Sequence, residues 1–113
     1  MRPESSKLLK DALDAADAIE RFVRGLDFEA YRANELVRSG VERRFEIVGE
    51  ALAQLRQRDA AVARRVPDVD RIVAFRNLLI HRYADVDDRI VWSVVERKLP
   101  ALRAAFQELL AEP

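Results

Sequence analysis

The stretch that decides the fold is NELVRSGVERRFEIVGEALAQLRQR, residues 34–58. Its apolar residues recur every three or four positions, which is typical of one face of an amphipathic helix. Asn34 is a suitable N-cap, because its side chain can accept a hydrogen bond from a backbone N–H of the first turn. The stretch therefore predicts a long helix over residues 34–58, whose core-facing side carries Val37, Val41, Phe45, Val48, Leu52 and Leu55.

The same helical period extends towards both ends of the chain. A helix is predicted over residues 5–25, with a short turn or helix at 27–33 and another at 59–66. The apolar face of the helix over residues 5–25 consists of Leu9, Ala12, Ala16, Ile19, Val23 and Leu26. Gly25 and Asp27 are residues typical of the end of a helix. Pro67 and Asp68 break the chain, and the next helix should start near Asp68 or Val69 and run to about His81.

The last part of the chain predicts one more helix, which a proline interrupts. Asp85 or Asp87 should cap it, and Pro100 should kink or split it at Lys98–Leu99. The alternation typical of strands is absent from the sequence. We expect an all-α, four- to five-helix up-down bundle that forms one domain over residues 1–113.

Composition excludes several classes of function. The sequence has no cysteine, so disulfides, zinc–thiolate sites and thiol catalysis are ruled out. Its single histidine leads us to expect no metal site within one copy. The polar start MRPESSKLLKD and the lack of a long apolar run predict a cytoplasmic protein without a membrane span.

Charge argues against binding of nucleic acid by bulk attraction, since 20 basic and 20 acidic residues give a net charge of zero. Arginine accounts for 17 of the basic residues and suits bidentate phosphate contacts. Codon usage in a GC-rich genome is the simpler explanation for that excess. Any affinity for RNA would have to come from local geometry.

The segment RNLLIHRY, residues 76–83, carries the candidate chemistry. An arginine, an imidazole and a phenol together suit reactions at a phosphate. On a regular helix, Arg76 and Tyr83 lie within roughly 20° of each other, whereas Arg76 and His81 lie roughly 140° apart. The helix could end or distort before His81, the arginine could reach around it, or a second subunit could complete the site.

A purely structural interpretation of the segment also exists. His81 would then be a residue at the carboxyl end of a helix, where a cation is favourable. Arg76 would be a surface arginine and Tyr83 a core or rim aromatic.

The order of motifs resembles the HepT-like toxins of the HEPN superfamily. The shared features are Gly49-Glu50-Ala51, Pro67, the R-N-x-x-x-H-x-Y pattern of residues 76–83, Val86-Asp87, Val91-Trp92 and Leu99-Pro100. Asp70 departs from the pattern, because a tryptophan is common there.

The resemblance implies a homodimeric HEPN bundle and a metal-independent endoribonuclease with Arg76 and His81 as catalytic residues. It also implies a type VII toxin–antitoxin pair with an MntA-type nucleotidyltransferase as partner. That partner would transfer AMP from ATP to Tyr83 and so block the toxin. ATP would serve only as the AMP donor, and the toxin itself would need no cofactor. The alternatives are a non-catalytic module that binds the nucleotidyltransferase, and a structural helical dimer.

Four further residues are candidates for a supporting role. Glu46 and Glu50 share a helix face, so one of them could orient Arg76 or His81; the alternative is a solvated face paired with Arg43 and Arg44. Asn77 could bond the His81 ring or a phosphate, or it could be a simple surface amide. Arg82 could contact RNA, or it could be a solvated arginine, which is the simpler explanation.

Four other positions have a simpler explanation than function. Gly49 within a helix is best explained by close helix packing. Trp92 could stack on a base, but its apolar stripe favours the core. Asp85 and Asp87 are better explained as helix caps than as metal ligands.

Overall fold

A computed structural model describes residues 1–81 and 83–113 of the chain, with the backbone alone at Tyr83. These residues form seven α-helices and one short 3-10 turn, and none of them forms a strand. The helices are α1 (Pro3–Val23), α2 (Phe28–Ala33), α3 (Glu35–Arg58), α4 (Ala60–Ala63), α5 (Val69–His81), α6 (Asp88–Arg97) and α7 (Leu99–Ala111), and the turn spans Tyr83–Asp85. The all-α prediction is confirmed: α1, α3, α5, α6 and α7 are the longer helices, and α2 and α4 are short.

Local sequence signals explain where most of the helices begin and end. The Asn34 side chain accepts a hydrogen bond of 3.1 Å from the N–H of Val37, which confirms the predicted cap of α3. Asp87 caps α6 in the same way, accepting from the N–H of Arg89 at 2.9 Å. The positive φ of Gly25 (80°) turns the chain after α1, so this helix ends at Val23, two residues earlier than predicted.

Pro100 splits the last helical segment, as predicted. Helix α6 ends at Arg97 and α7 begins at Leu99, so Pro100 lies in the first turn of α7. A proline is tolerated there because the first backbone N–H groups of a helix have no partner within the helix. The two helices can therefore pack on different parts of the bundle.

Helix α3 lies between α1 and α5, and α1 also packs against α7. Contacts at the helix ends show that α1 and α3 are antiparallel: Ser5 at the start of α1 bonds Asp59 just after α3 at 2.6 Å. Helix α5 returns along α3, since Asp70 at its start pairs with Arg56 near the end of α3 at 2.8 Å. Asp70, where the resemblance favours tryptophan, is thus an exposed ion-pair residue.

The core is one cluster of buried apolar side chains from all the longer helices. Phe45 of α3 is fully buried and meets Phe75 of α5 edge to face, with ring centroids 5.3 Å apart. These contacts set the crossing of α3 over α5, on which the candidate site lies. Among the described residues, no helix is both long and apolar enough to cross a membrane.

Candidate functional site

Helix α5 carries Arg76, Asn77 and His81, and it remains helical through His81. The possibility that the helix ends before His81 is therefore wrong. Asn77 and His81 are both exposed, whereas the Arg76 side chain is only 18% exposed. Arg76 faces α3, so within a single chain the Arg76 side chain points into the bundle and the His81 side chain points to solvent.

The stem of Arg76 packs directly on Gly49 of α3. A Cβ atom added to Gly49 would lie 2.2 Å from the Cβ and 2.6 Å from the Cγ of Arg76, and 3.4 Å from the carbonyl oxygen of Ile72. Atoms cannot approach that closely, so only glycine fits at this crossing. The prediction that Gly49 serves close helix packing is confirmed, and its neighbour is the motif arginine.

The guanidinium of Arg76 forms an ion pair with the residue after that glycine. Its NH1 lies 3.0 Å from the Oε2 of Glu50, whose side chain is 53% exposed. The other carboxylate oxygen of Glu50 accepts a hydrogen bond of 3.1 Å from Nε2 of Gln54, one turn further along α3. The Nε of Arg76 is buried and has no hydrogen-bond partner in the described part of the chain.

The three acidic residues on this side of α3 have different surroundings. Glu50 meets Arg76, whereas Glu46 pairs with Arg43 at 3.4 Å on the helix surface. Burial raises the pKa of Glu42, and the negative charge of Asp88 raises it further. Of the two predicted roles, Glu50 thus fits support of Arg76, whereas Glu46 has the predicted pairing with Arg43 but is only 26% exposed.

Arg44 does not pair with these acids, contrary to the second prediction for that face. Its guanidinium lies over the ring of Phe22 of α1, 5.7 Å from the ring centroid. The reason is that Arg44 lies on the side of α3 that faces the end of α1.

A groove of about 230 Å³ borders the Glu50 side chain. It lies among α1, α3 and the end of α5, and its apolar part includes Ile80, the neighbour of His81, which is 41% exposed. Its polar part includes three carboxylates and one arginine, and each carboxylate is paired with a basic residue, Lys7, Arg43 or Arg76. The lining residues are Leu8, Asp11, Arg43, Glu46, Ile47, Glu50, Ala51, Gln54 and Ile80.

Tyr31 and Trp92 form a separate contact in the core, which no pattern in the sequence indicates. Their ring centroids lie 5.1 Å apart, Tyr31 is fully buried, and Trp92 is half-buried against the core. Trp92 is therefore a packing residue, as its apolar stripe predicts. Burial raises the pKa of Tyr31, and its hydroxyl has no hydrogen-bond partner among the described residues.

Arg82 and the side chain of Tyr83 lie outside the described residues. The sequence predictions for both, an RNA contact and an AMP acceptor, stay predictions. Asp87 caps α6, as the capping explanation predicts, whereas Asp85 belongs to the short turn before α6 and is not its cap.

Two features of the site were missed from the sequence: the contact of Arg76 with Gly49 and the bond of Gln54 to Glu50. The spacing of four residues between Glu50 and Gln54 was a usable signal for the second. No sequence signal could give the first, because it depends on how α3 and α5 cross.

Comparison with known proteins identifies a family. The family described as Ribonuclease HepT-like matches residues 12–109, which include the α3–α5 crossing and the whole motif. The chain belongs to the HepT-like ribonuclease family. No solved structure shows a significant match.

Proteins from archaea and bacteria resemble the chain along most of its length. A probable ribonuclease HepT of Thermococcus cleftensis is 29% identical over 109 residues, covering 96% of this chain and 98% of the relative. A predicted RNase of Methanocaldococcus jannaschii is 30% identical over 95 residues, covering 84% and 86%. A predicted RNase of Caldanaerobacter subterraneus is 33% identical over 92 residues, covering 81% and 80%.

Proposed function

We propose that this HepT-like protein is a metal-independent endoribonuclease with Arg76 and His81 as its catalytic residues. The observation that carries the proposal is the R-x4-H pattern on α5 of a chain in this family, with an exposed His81 at the end of the helix. His81 would take the proton of the ribose 2′-OH as its oxygen attacks phosphorus, or give a proton to the departing 5′-oxygen. Arg76 would stabilise the charge on the phosphorane oxygens.

One copy supplies a single histidine, whereas this reaction needs both a base and an acid. A homodimer with two motifs around a two-fold axis would supply both. The opposite directions of Arg76 and His81 on α5 support this arrangement. The exposed Ile80 beside His81 and the apolar part of the adjoining groove give a second copy a surface to bury.

The proposal extends to control by a partner. An MntA-type nucleotidyltransferase antitoxin would transfer AMP from ATP to Tyr83, making the chain the toxin of a cytoplasmic type VII pair. Tyr83 follows the catalytic histidine by two residues, so a bulky anionic group there would fill the proposed site and pair with Arg76. Support for this part comes from the spacing of the motif and from the family.

The test is cleavage of RNA by the unmodified protein, whose intact mass is checked first, in buffer with EDTA. We expect cleavage by the wild type and loss of at least a hundredfold in kcat in His81→Ala and Arg76→Ala, as for removal of a general acid–base or an oxyanion donor. Glu108→Ala, an exposed carboxylate of α7, is the matched control and should cleave normally. Intact RNA at excess wild-type protein would reject the proposal, and so would an active His81→Ala.

The groove beside Glu50 favours a second candidate function, in which the chain is a non-catalytic acceptor of AMP for the nucleotidyltransferase. Its three carboxylates, Asp11, Glu46 and Glu50, are paired with Lys7, Arg43 and Arg76, so the groove offers an RNA backbone no excess of positive charge. Intact mass after incubation with the partner and ATP tests this role. The non-catalytic role would be favoured if the intact mass increased by one AMP in the wild type but not in Tyr83→Phe, and if the unmodified protein cleaved no RNA.

A further inference from the structure

The Arg76 side chain is held at two points, both of them on α3. Its Cβ and Cγ press against Gly49, where no side chain intervenes, and its NH1 pairs with Glu50 at 3.0 Å. Because Gly49 and Glu50 are neighbours in the chain, one turn of α3 sets both the stem and the charged end of Arg76. Such a side chain has lost much of its rotamer freedom before any substrate arrives.

Glu50 is itself oriented. It is half-exposed, and an exposed carboxylate would ordinarily sample several rotamers. The Nε2 of Gln54 donates to its Oε1 at 3.1 Å, which leaves Oε2 for Arg76. Three side chains therefore form a sequence of contacts, Gln54 to Glu50 to Arg76.

We propose that Glu50, oriented by Gln54, is a positioning residue that fixes the guanidinium of Arg76 for a phosphate of the substrate. The inference rests on the proposed ribonuclease function. A guanidinium has five N–H donors, and in the described part of the chain Glu50 meets the guanidinium at one nitrogen. The Nε of Arg76 is buried, so the donors left for phosphate oxygens are those of NH1 and NH2 that do not meet Glu50, and the ion pair determines where they point.

The same contact could act in another way, with Glu50 as an anion that competes with the phosphate for Arg76. Kinetics separate the two roles. A competitor weakens substrate binding, so its removal lowers KM and leaves kcat unchanged. A positioning residue acts where charge develops in the transition state, so its removal lowers kcat and changes KM little.

The experiment compares RNA cleavage by three variants with the wild type and with the Glu108→Ala control. We expect Glu50→Ala to lower kcat roughly ten- to a hundredfold, with KM within about twofold. Glu50→Gln keeps an oxygen that can accept from Arg76 and should recover most of that loss. Gln54→Ala should lower kcat about threefold, because Glu50 is then less ordered. Thermal unfolding of each variant checks that the bundle stays folded.

A double variant distinguishes positioning from a general structural effect. In an Arg76→Ala background, Glu50→Ala should not lower kcat further, because Glu50 is proposed to affect the reaction only through Arg76. An unchanged kcat in Glu50→Ala, a lower KM alone, or a further loss in the Arg76→Ala background would each overturn the inference.

Nuclear magnetic resonance gives a readout that does not require activity. The buried Nε–H of Arg76 should give a signal protected from exchange, assigned by its absence in Arg76→Lys. We expect faster exchange in Glu50→Ala and protection retained in Glu50→Gln. If the wild type cleaves no RNA, the proposed function fails by itself; unchanged protection in Glu50→Ala would then reject the positioning role separately.

Discussion

Replacement of Gly49 by alanine tests whether the α3–α5 crossing is as close as described. The new Cβ would lie 2.2 Å from the Cβ of Arg76. Carbon atoms in contact prefer about 3.5–4.0 Å, so the two helices would have to separate locally by about 1.5 Å. The Arg76 Cβ is fixed to the α5 backbone, so rotation of a side chain cannot relieve this clash.

Two opposing effects set the expected size of the change. Alanine is favoured over glycine in a helix by about 1 kcal/mol. Overpacking of a tight contact costs about 1–3 kcal/mol, and the backbone-linked clash places Gly49→Ala at the upper end. The net expectation is a free energy of unfolding lowered by about 2 kcal/mol, or a Tm about 8 °C lower for a domain of this size.

Gly40 provides a matched control on the same helix. A Cβ there would lie 3.2 Å from Cε2 and 3.3 Å from Cδ2 of the Phe22 ring, the end of a half-buried side chain that can shift by a few tenths of an ångström. Gly40→Ala should therefore be as stable as the wild type or up to about 1 kcal/mol more stable.

The assay is urea unfolding followed by circular dichroism, at one protein concentration because a dimer would link stability to concentration. RNA cleavage by the same samples should fall in Gly49→Ala and not in Gly40→Ala, since only the first displaces Arg76. If both alanine variants are equally stable, the close crossing described for Gly49 is incorrect.

Three further changes test other parts of the bundle. Tyr31→Phe removes a buried hydroxyl without a partner among the described residues, so at neutral pH it should leave stability unchanged or raise it by up to about 1 kcal/mol. Because burial raises the pKa of Tyr31, the wild type should lose stability as pH rises above about 10, and Tyr31→Phe should lose less, as alkaline unfolding curves would show. The hydrogen bond from Ser5 lowers the pKa of Asp59, so the stability from this contact is present above the ordinary pKa of an aspartate and is lost as pH falls through the lowered pKa. Ser5→Ala should therefore raise the pKa of Asp59 in an NMR titration. An unchanged pKa would contradict the hydrogen bond. Phe45→Ala leaves a cavity against Phe75 and should cost about 3–5 kcal/mol in urea unfolding, whereas a cost below 1 kcal/mol would place Phe45 outside the core.

Much of the fold could be predicted because its signals are local. The spacing of Val41, Phe45 and Val48 predicted a buried face of α3, and all three are fully buried. The caps at Asn34 and Asp87 depend on a side chain and a backbone N–H two or three residues away, so the sequence is enough to place them.

The candidate site could be predicted only in part. The sequence identified Arg76 and His81 as residues suited to phosphate chemistry, and helical angles predicted that they face different ways. It could not show that Arg76 turns towards α3, since that depends on a neighbouring helix. Helical spacing alone also left Glu46 and Glu50 equivalent, whereas the fold brings only Glu50 to Arg76.

The sequence by itself thus determined the helices, their breaks and the residue types of the motif, because periodicity, capping and proline geometry act within a few residues. The tertiary structure alone decided which partner each motif side chain meets. Gly49 and Arg76 are far apart in the chain, and their contact follows from the angle and separation at which α3 and α5 pack. Packing of whole helix faces sets that crossing, with Phe45 against Phe75 beside it, and no local pattern encodes it.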